Sequence, residues 1–96
     1  MKKETIKLKK AAQMFKAMGH PVRIAIIKLL AKSERMSVTK IHKALKIRQA
    51  DASHHLNILK NKGVLNSKRL KQNNYYSVRY PGITNAVNCI LEVLKE

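Results

Sequence analysis

The chain has 96 residues, of which 21 are Lys or Arg and 5 are Asp or Glu, a formal charge of +16. With 45% apolar residues there is material for one packed core, which excludes a disordered basic tail and leaves a small domain whose partner is polyanionic. The single cysteine excludes a disulfide framework, no 18-residue apolar run exists to span a membrane, and Lys7, Lys9, Lys10 and Lys16 break any secretory h-region, so a cytoplasmic protein is expected.

From about Glu4 to Met18, Leu8, Ala11, Ala12, Phe15 and Met18 recur at three- and four-residue steps, which predicts an amphipathic helix with a lysine-rich back. Gly19 ends it, and Pro21 opens a second helix at the position where its missing N–H costs nothing. Val22 to Ala31 is apolar nearly all round, interrupted only by Arg23 and Lys28, so this helix is expected in the middle of the domain. Ser37 is the expected cap of a short third helix, Val38 to Leu45, with Val38, Ile41, Ala44 and Leu45 on its buried side. After Lys46, Ile47 and Arg48 the helical pattern resumes and runs to Gly63. Two short helices joined this tightly predict a helix-turn-helix over residues 38–62.

Gly63 marks a change of period. Val64 to Lys71 and Tyr75 to Tyr80 are rich in β-branched, aromatic and long basic residues, with Gln72-Asn73-Asn74 between them. Asn tolerates left-handed backbone angles, so a β-hairpin with a basic, polar tip is expected over 64–80. Tyr75 and Tyr76 point to opposite faces, so at least one belongs to the core. Pro81-Gly82 closes the hairpin, and Ile83, Ala86, Val87, Ile90, Leu91 and Leu94 predict a final amphipathic helix. Helix, helix, helix, helix, hairpin, helix is the order of a winged helix-turn-helix: mainly α with a small β-hairpin (α+β), one domain over 1–96.

The charge is uneven along this order. Residues 1–32 carry nine basic side chains and one acidic, 33–62 seven and two, and 63–80 four and none, whereas 81–96 carry one lysine against two glutamates. A solubility coat would be mixed and spread evenly. The last helix is therefore expected to face another protein surface.

On a wheel of about 100° per residue, Ala52, His55, Leu56 and Leu59 of the fourth helix cluster inward. Ala50, Ser53, His54, Asn57 and Asn61 point out, with Lys60 on the border and Ile58 on the opposite border, placed to pack under the wing. Gln49 can offer a bidentate amide to adenine, while Ser53, Asn57 and Lys60 can bond phosphate or bases, and Arg48 adds a phosphate-seeking charge. Asp51 either serves the helix dipole and reaches back as a cap, or accepts from a cytosine amino group. Lys68, Arg69 and Lys71, with Asn73 and Asn74, are expected to lie along a neighbouring backbone or enter the minor groove.

Phe15-Lys-Ala-Met-Gly-His-Pro-Val-Arg23 followed by Ile24-Ala-Ile-Ile-Lys-Leu-Leu30 resembles the opening motif of arsenic-repressor-type (ArsR/SmtB) transcription factors. Ala52-Ser-His-His-Leu-Asn-Ile-Leu59 with Lys62-Gly-Val-Leu65 is similar to the recognition-helix motif of that family, and Tyr75-Tyr-Ser-Val78 to its second wing strand. The resemblance covers about residues 11–80. It implies a winged-helix homodimer pairing through the first and last helices, residues 1–18 and 83–96, with Leu8, Ala11, Ala12, Phe15, Ile83, Ala86, Val87, Ile90 and Leu94 at the interface. The family's small residue in the helix-turn-helix turn and its Ser or Thr at the recognition-helix cap are replaced here by Lys46 and Arg48. Asn73-Asn74 stand where its wing tip usually has Gly.

Many relatives in that family sense metals through a cysteine pair in the third helix or a His/Asp/Glu set in the last. Here the third helix has no Cys, and the last has only Cys89, Glu92 and Glu96. That falls short of a closed tetrahedral site, so Cys89 is expected as a buried small hydrophobe and no metal or other cofactor is expected. His20, His42, His54 and His55 show no zinc spacing; DNA contact or packing is their expected role. No paired carboxylates, phosphate-cradling Gly-rich loop or positioned nucleophile is present, so no enzyme is expected. The expectation is a sequence-specific dimeric repressor on an inverted-repeat operator. The alternative is a sequence-neutral architectural DNA- or RNA-binding protein, which would bind random duplex equally well.

Overall fold

A computed structural model describes residues 2–95, which form five helices and a three-stranded antiparallel sheet. The first helix, α1, spans Lys2–Met18, and α2 spans Pro21–Ala31 with proline in its first turn. The Nδ1 of His20 accepts from the Val22 N–H at 3.1 Å and so caps α2. A two-residue strand, β1 (Met36–Ser37), precedes α3 (Val38–Leu45), whose Lys40 N–H donates to the Ser37 hydroxyl at 3.2 Å, satisfying one orphan donor. Then follow α4 (Gln49–Asn61), β2 (Leu65–Leu70), β3 (Asn73–Val78) and α5 (Pro81–Val93).

α3 and α4 end in the same lock. The Ile47 N–H donates to the His42 carbonyl and that of Lys46 to Lys43; the Val64 N–H donates to Leu59 and that of Gly63 to Lys60. Both are Schellman closures, which need one left-handed residue. Gly63, at φ +79°, supplies it after α4, but Lys46 must supply it after α3, at φ 57°.

α2 lies at the centre as its composition requires, with Ile26, Ile27 and Leu30 buried. Around it pack Ile41 of α3; Ala52, Leu56 and Leu59 of α4; Val64, Leu65 and Tyr76 of the wing; and Ile83 and Val87 of α5. Among the described residues no polar or charged side chain is buried. The sheet order is β1-β3-β2, with Met36 opposite Tyr76 and Leu65 opposite Val78, so Tyr76 and Leu65 carry the sheet's apolar face into the core.

Several expectations change. The strand β1 is an addition to the expected order; two residues carry no periodic signal. The hairpin turn is Lys71-Gln72, and Asn73 and Asn74 are the first residues of β3, because Leu70 pairs with Asn73 and leaves two residues to make the turn. Lys71 takes the left-handed angle, φ 57°, that Asn was expected to take. Pro81 and Gly82 form the first turn of α5. Ala44 is exposed: it lies about 60° outside the arc of Val38, Ile41 and Leu45 that meets the core. Ile58 lines a shallow cleft with Ala17, Lys16 and Arg23, since the end of α1 crosses that side of α4 where the wing was expected.

Candidate nucleic-acid interface

The three-residue turn Lys46 to Arg48 holds α3 against α4 and leaves the N-terminal half of α4 open on one side. Gln49, Ala50 and His54 are exposed there and Ser53 is half-buried; Asn57, Lys60 and Asn61 are exposed further along the helix, while Ala52, Leu56 and Leu59 are fully covered. The outer face is thus small and polar at the end where recognition helices meet base edges.

Arg48 precedes the helix without a side-chain capping bond. Its guanidinium instead grips Asp51 bidentately, Nε to Oδ2 at 2.9 Å and Nη2 to Oδ1 at 3.3 Å. Asp51 therefore neither caps the helix nor stands free for a cytosine; Arg48 holds its carboxyl below the usual carboxylate range. The pair is exposed, so a phosphate can compete for the guanidinium.

In the wing, Arg69 lies opposite Asn74 and Lys68 opposite Tyr75. Strand alternation sends Arg69 and Asn74 to one face and Lys68 to the other, with Asn73 beside Leu70. Lys71 sits in the turn itself. The basic wing residues are brought to one ribbon but divided between its faces. Tyr76 is in the core and Tyr75 half-buried, with the Arg35 guanidinium 5.2 Å from its ring centroid, so neither tyrosine offers a free stacking face. A second basic concavity went unnoticed in the sequence: Lys10 of α1, Lys60 and Lys62 at the end of α4, and Arg79 surround a cleft of about 420 Å³. Lys10, the Lys60–Lys62 pair and Arg79 are far apart in the chain, and only the fold gathers them.

A second face, on α1 and the C-terminal helix, is apolar. Phe15 of α1 is 67% exposed, and Ile90, Val93 and Leu94 of the last helix 63%, 80% and 70%, in one protomer. Phe15, Met18, Ile24, Ala86, Ile90 and Leu91 line an apolar groove between α1, α2 and α5. Ile83 and Val87, also expected at a subunit interface, are buried in the protomer at 7% and 5% where α5 seats on α2 and β3, yet both line the apolar grooves between α1 and α5. Leu8 and Ala12 are exposed and Ala11 half-buried; the side of α1 that meets its own domain is Met14, Ala17 and Met18. Cys89 is exposed, two residues and about 200° round α5 from Val87, which corrects its expected burial. Glu96 lies outside the described residues.

Three of the four histidines, His20, His54 and His55, lie together. The ring centroids of His20 and His55 are 4.6 Å apart and those of His54 and His55 5.4 Å. Arg23 Nε donates to His55 Nδ1 at 3.2 Å, and the half-buried His42 ring lies 3.2 Å from the Ile47 carbonyl. No group of three or more potential ligands is close enough to hold a metal among the described residues.

Comparison with known proteins agrees with this architecture. Residues 20–67 match the pattern described as bacterial regulatory protein, arsR family. An uncharacterized HTH-type transcriptional regulator of Methanocaldococcus jannaschii is 46% identical over 72 residues, 75% of this chain and 81% of that protein. The transcriptional repressor PagR of Bacillus anthracis is 33% identical over 91% of this chain and 87% of its own length. The PagR crystal structure superposes with a TM-score of 0.81 at 31% identity, over 90% of this chain and 98% of that one. A homodimeric winged helix-turn-helix DNA-binding domain from Mycobacterium bovis shares the fold, with a TM-score of 0.84 at 24% identity over 95% of this chain and 83% of that one.

Proposed function

The chain belongs to the ArsR family of bacterial regulatory proteins, and from that premise we propose that it is a homodimeric repressor that reads an inverted-repeat operator through α4. The observation that carries this reading is the division of the surface. A polar α4 face between basic segments serves one partner, and an uncovered apolar face on α1 and α5 serves another. The first suits a duplex, whose phosphates supply affinity and whose base edges supply choice. The second suits a copy of the same chain. Two such protomers related by a two-fold axis present their α4 helices to successive major grooves about 34 Å apart.

In this arrangement Gln49, Ala50, Ser53, His54, Asn57 and Asn61 face the groove floor. Arg48, Lys60, Lys68, Arg69 and Lys71, with Asn73 and Asn74, hold the backbone. Phe15, Ala86, Ile90 and Leu94, joined by Leu8, Ala11 and Ala12, meet the partner. No helix among the described residues is long and apolar enough to cross a membrane.

Selection of bound duplexes from a random library tests the reading. An enriched inverted repeat with half-sites one helical turn apart is expected. Recovery of unenriched sequence, with equal affinity for random duplex, would favour the sequence-neutral alternative.

A further inference from the structure

Arg23 does something that neither DNA reading nor dimerisation requires. From α2, its Nη1 donates to the Ala17 carbonyl in the last turn of α1 at 2.8 Å, and its Nε donates to His55 Nδ1 on α4 at 3.2 Å. One guanidinium thus ties the helix that carries the apolar dimer face to the helix that carries the reading face. His20, at the α1–α2 junction, tilts its ring at 43° against His55 from the third side.

We propose that Arg23 and His55 are positioning residues that form a proton-sensitive latch between α1 and α4, so that acidification releases specific DNA. The proposal rests on the DNA-reading role of α4 given above. Guanidinium has only donors, so His55 Nδ1 serves as the acceptor and carries no proton. An imidazolium also has only donors. Protonating His55 removes the bond and sets two cations at hydrogen-bond distance.

Of the groups facing His55 only Asp51 favours its charged form, and its influence is the smallest of them. Arg23 faces it from α2, His20 from the α1–α2 junction, and His54 and Asp51 from α4 itself, where Arg48 already occupies the Asp51 carboxylate. Lys16 of α1 and Lys62 flank the cleft beside Arg23. Burial first, then His20 and Arg23, push the His55 pKa down, in keeping with a site built for the neutral ring.

The sign of the effect separates it from bulk electrostatics. Protonating any histidine adds positive charge, which strengthens attraction to phosphate. The latch predicts the opposite for the specific complex.

The test measures binding at constant ionic strength from pH 7.5 to 5.5, on the selected inverted repeat and on random duplex. Wild-type affinity for the selected site is expected to fall by up to about tenfold per pH unit for each of the dimer's two His55 residues as they titrate, while affinity for random duplex holds or rises. His55→Gln keeps an oxygen that can accept from Arg23 and does not titrate, so its specific affinity is expected to stay level.

A wild-type NMR titration covers the case of a variant that does not fold. The Arg23 Nε–H signal should be lost with the same midpoint as His55 protonation. An unchanged pH profile in His55→Gln, or an Arg23 Nε–H that survives His55 protonation, would overturn the latch. If selection recovers no preferred sequence, the reading role of α4 fails instead, and the NMR titration still decides whether the latch exists.

Discussion

Ser53 and His54 lie one turn into α4, where a side chain can reach a base edge without displacing the helix backbone. Replacing either with Ala should weaken specific binding by about 1–3 kcal/mol and leave random-duplex affinity nearly unchanged. Equal losses on both duplexes would move these residues from base reading to backbone contact. Lys46 holds a left-handed angle that costs an L-residue about 1–2 kcal/mol, partly offset by the greater chain entropy of glycine. Lys46→Gly should therefore raise unfolding stability by about 0.5–1 kcal/mol in denaturant titration, and a loss of stability would show that the lysine side chain makes good its strain. His55 binds its proton less readily folded than unfolded. Its contribution to stability is then complete above its ordinary value near 6.5 and declines as pH falls from there toward the folded value. Denaturant midpoints at pH 7.5 and 5.5 should differ more in wild type than in His55→Gln; an equal difference would leave His55 without a role in acid sensitivity.

At the scale of elements, helix identity is local and the chain announces it. Pro21 opens α2, Ser37 caps α3 and Gly63 closes α4, each through backbone groups within a few residues. The wing is less legible because pairing decides its turn. Asn73 and Asn74 have the chemistry of turn residues, yet the register that seats Tyr76 and Leu65 in the core extends β3 through them and moves the left-handed angle to Lys71. β1 exists only because β3 is beside it. On the proposed reading the wing's charge acts through phosphates, so Arg69→Glu or Lys71→Glu should weaken selected and random duplex alike. Each lost contact should flatten the plot of log affinity against log salt by about 0.9. A loss confined to the selected site would instead place that side chain on a base.

For the whole molecule, the radius of gyration is 13.9 Å, against about 12.5 Å for a compact chain of this length. The excess fits α1, whose residues Lys2 to Lys10 are all exposed. Phe15→Glu or Ile90→Glu should give a folded monomer in sedimentation that no longer holds an inverted repeat with two-site affinity. A dimer surviving both changes would place the subunit contact elsewhere. The sequence alone determines the helix order, the central place of α2, the inward face of α4 and the basic character of the wing, because each follows from periodicity or composition along a short stretch. Tertiary structure alone decides which half of the α5 stripe is core and which is left bare, since Ile83 and Ile90 are equally apolar and only the position of α2 tells them apart. It also decides that Arg23 reaches both Ala17 and His55. Side chains far apart in the chain, or free to turn, acquire partners only once the helices have packed.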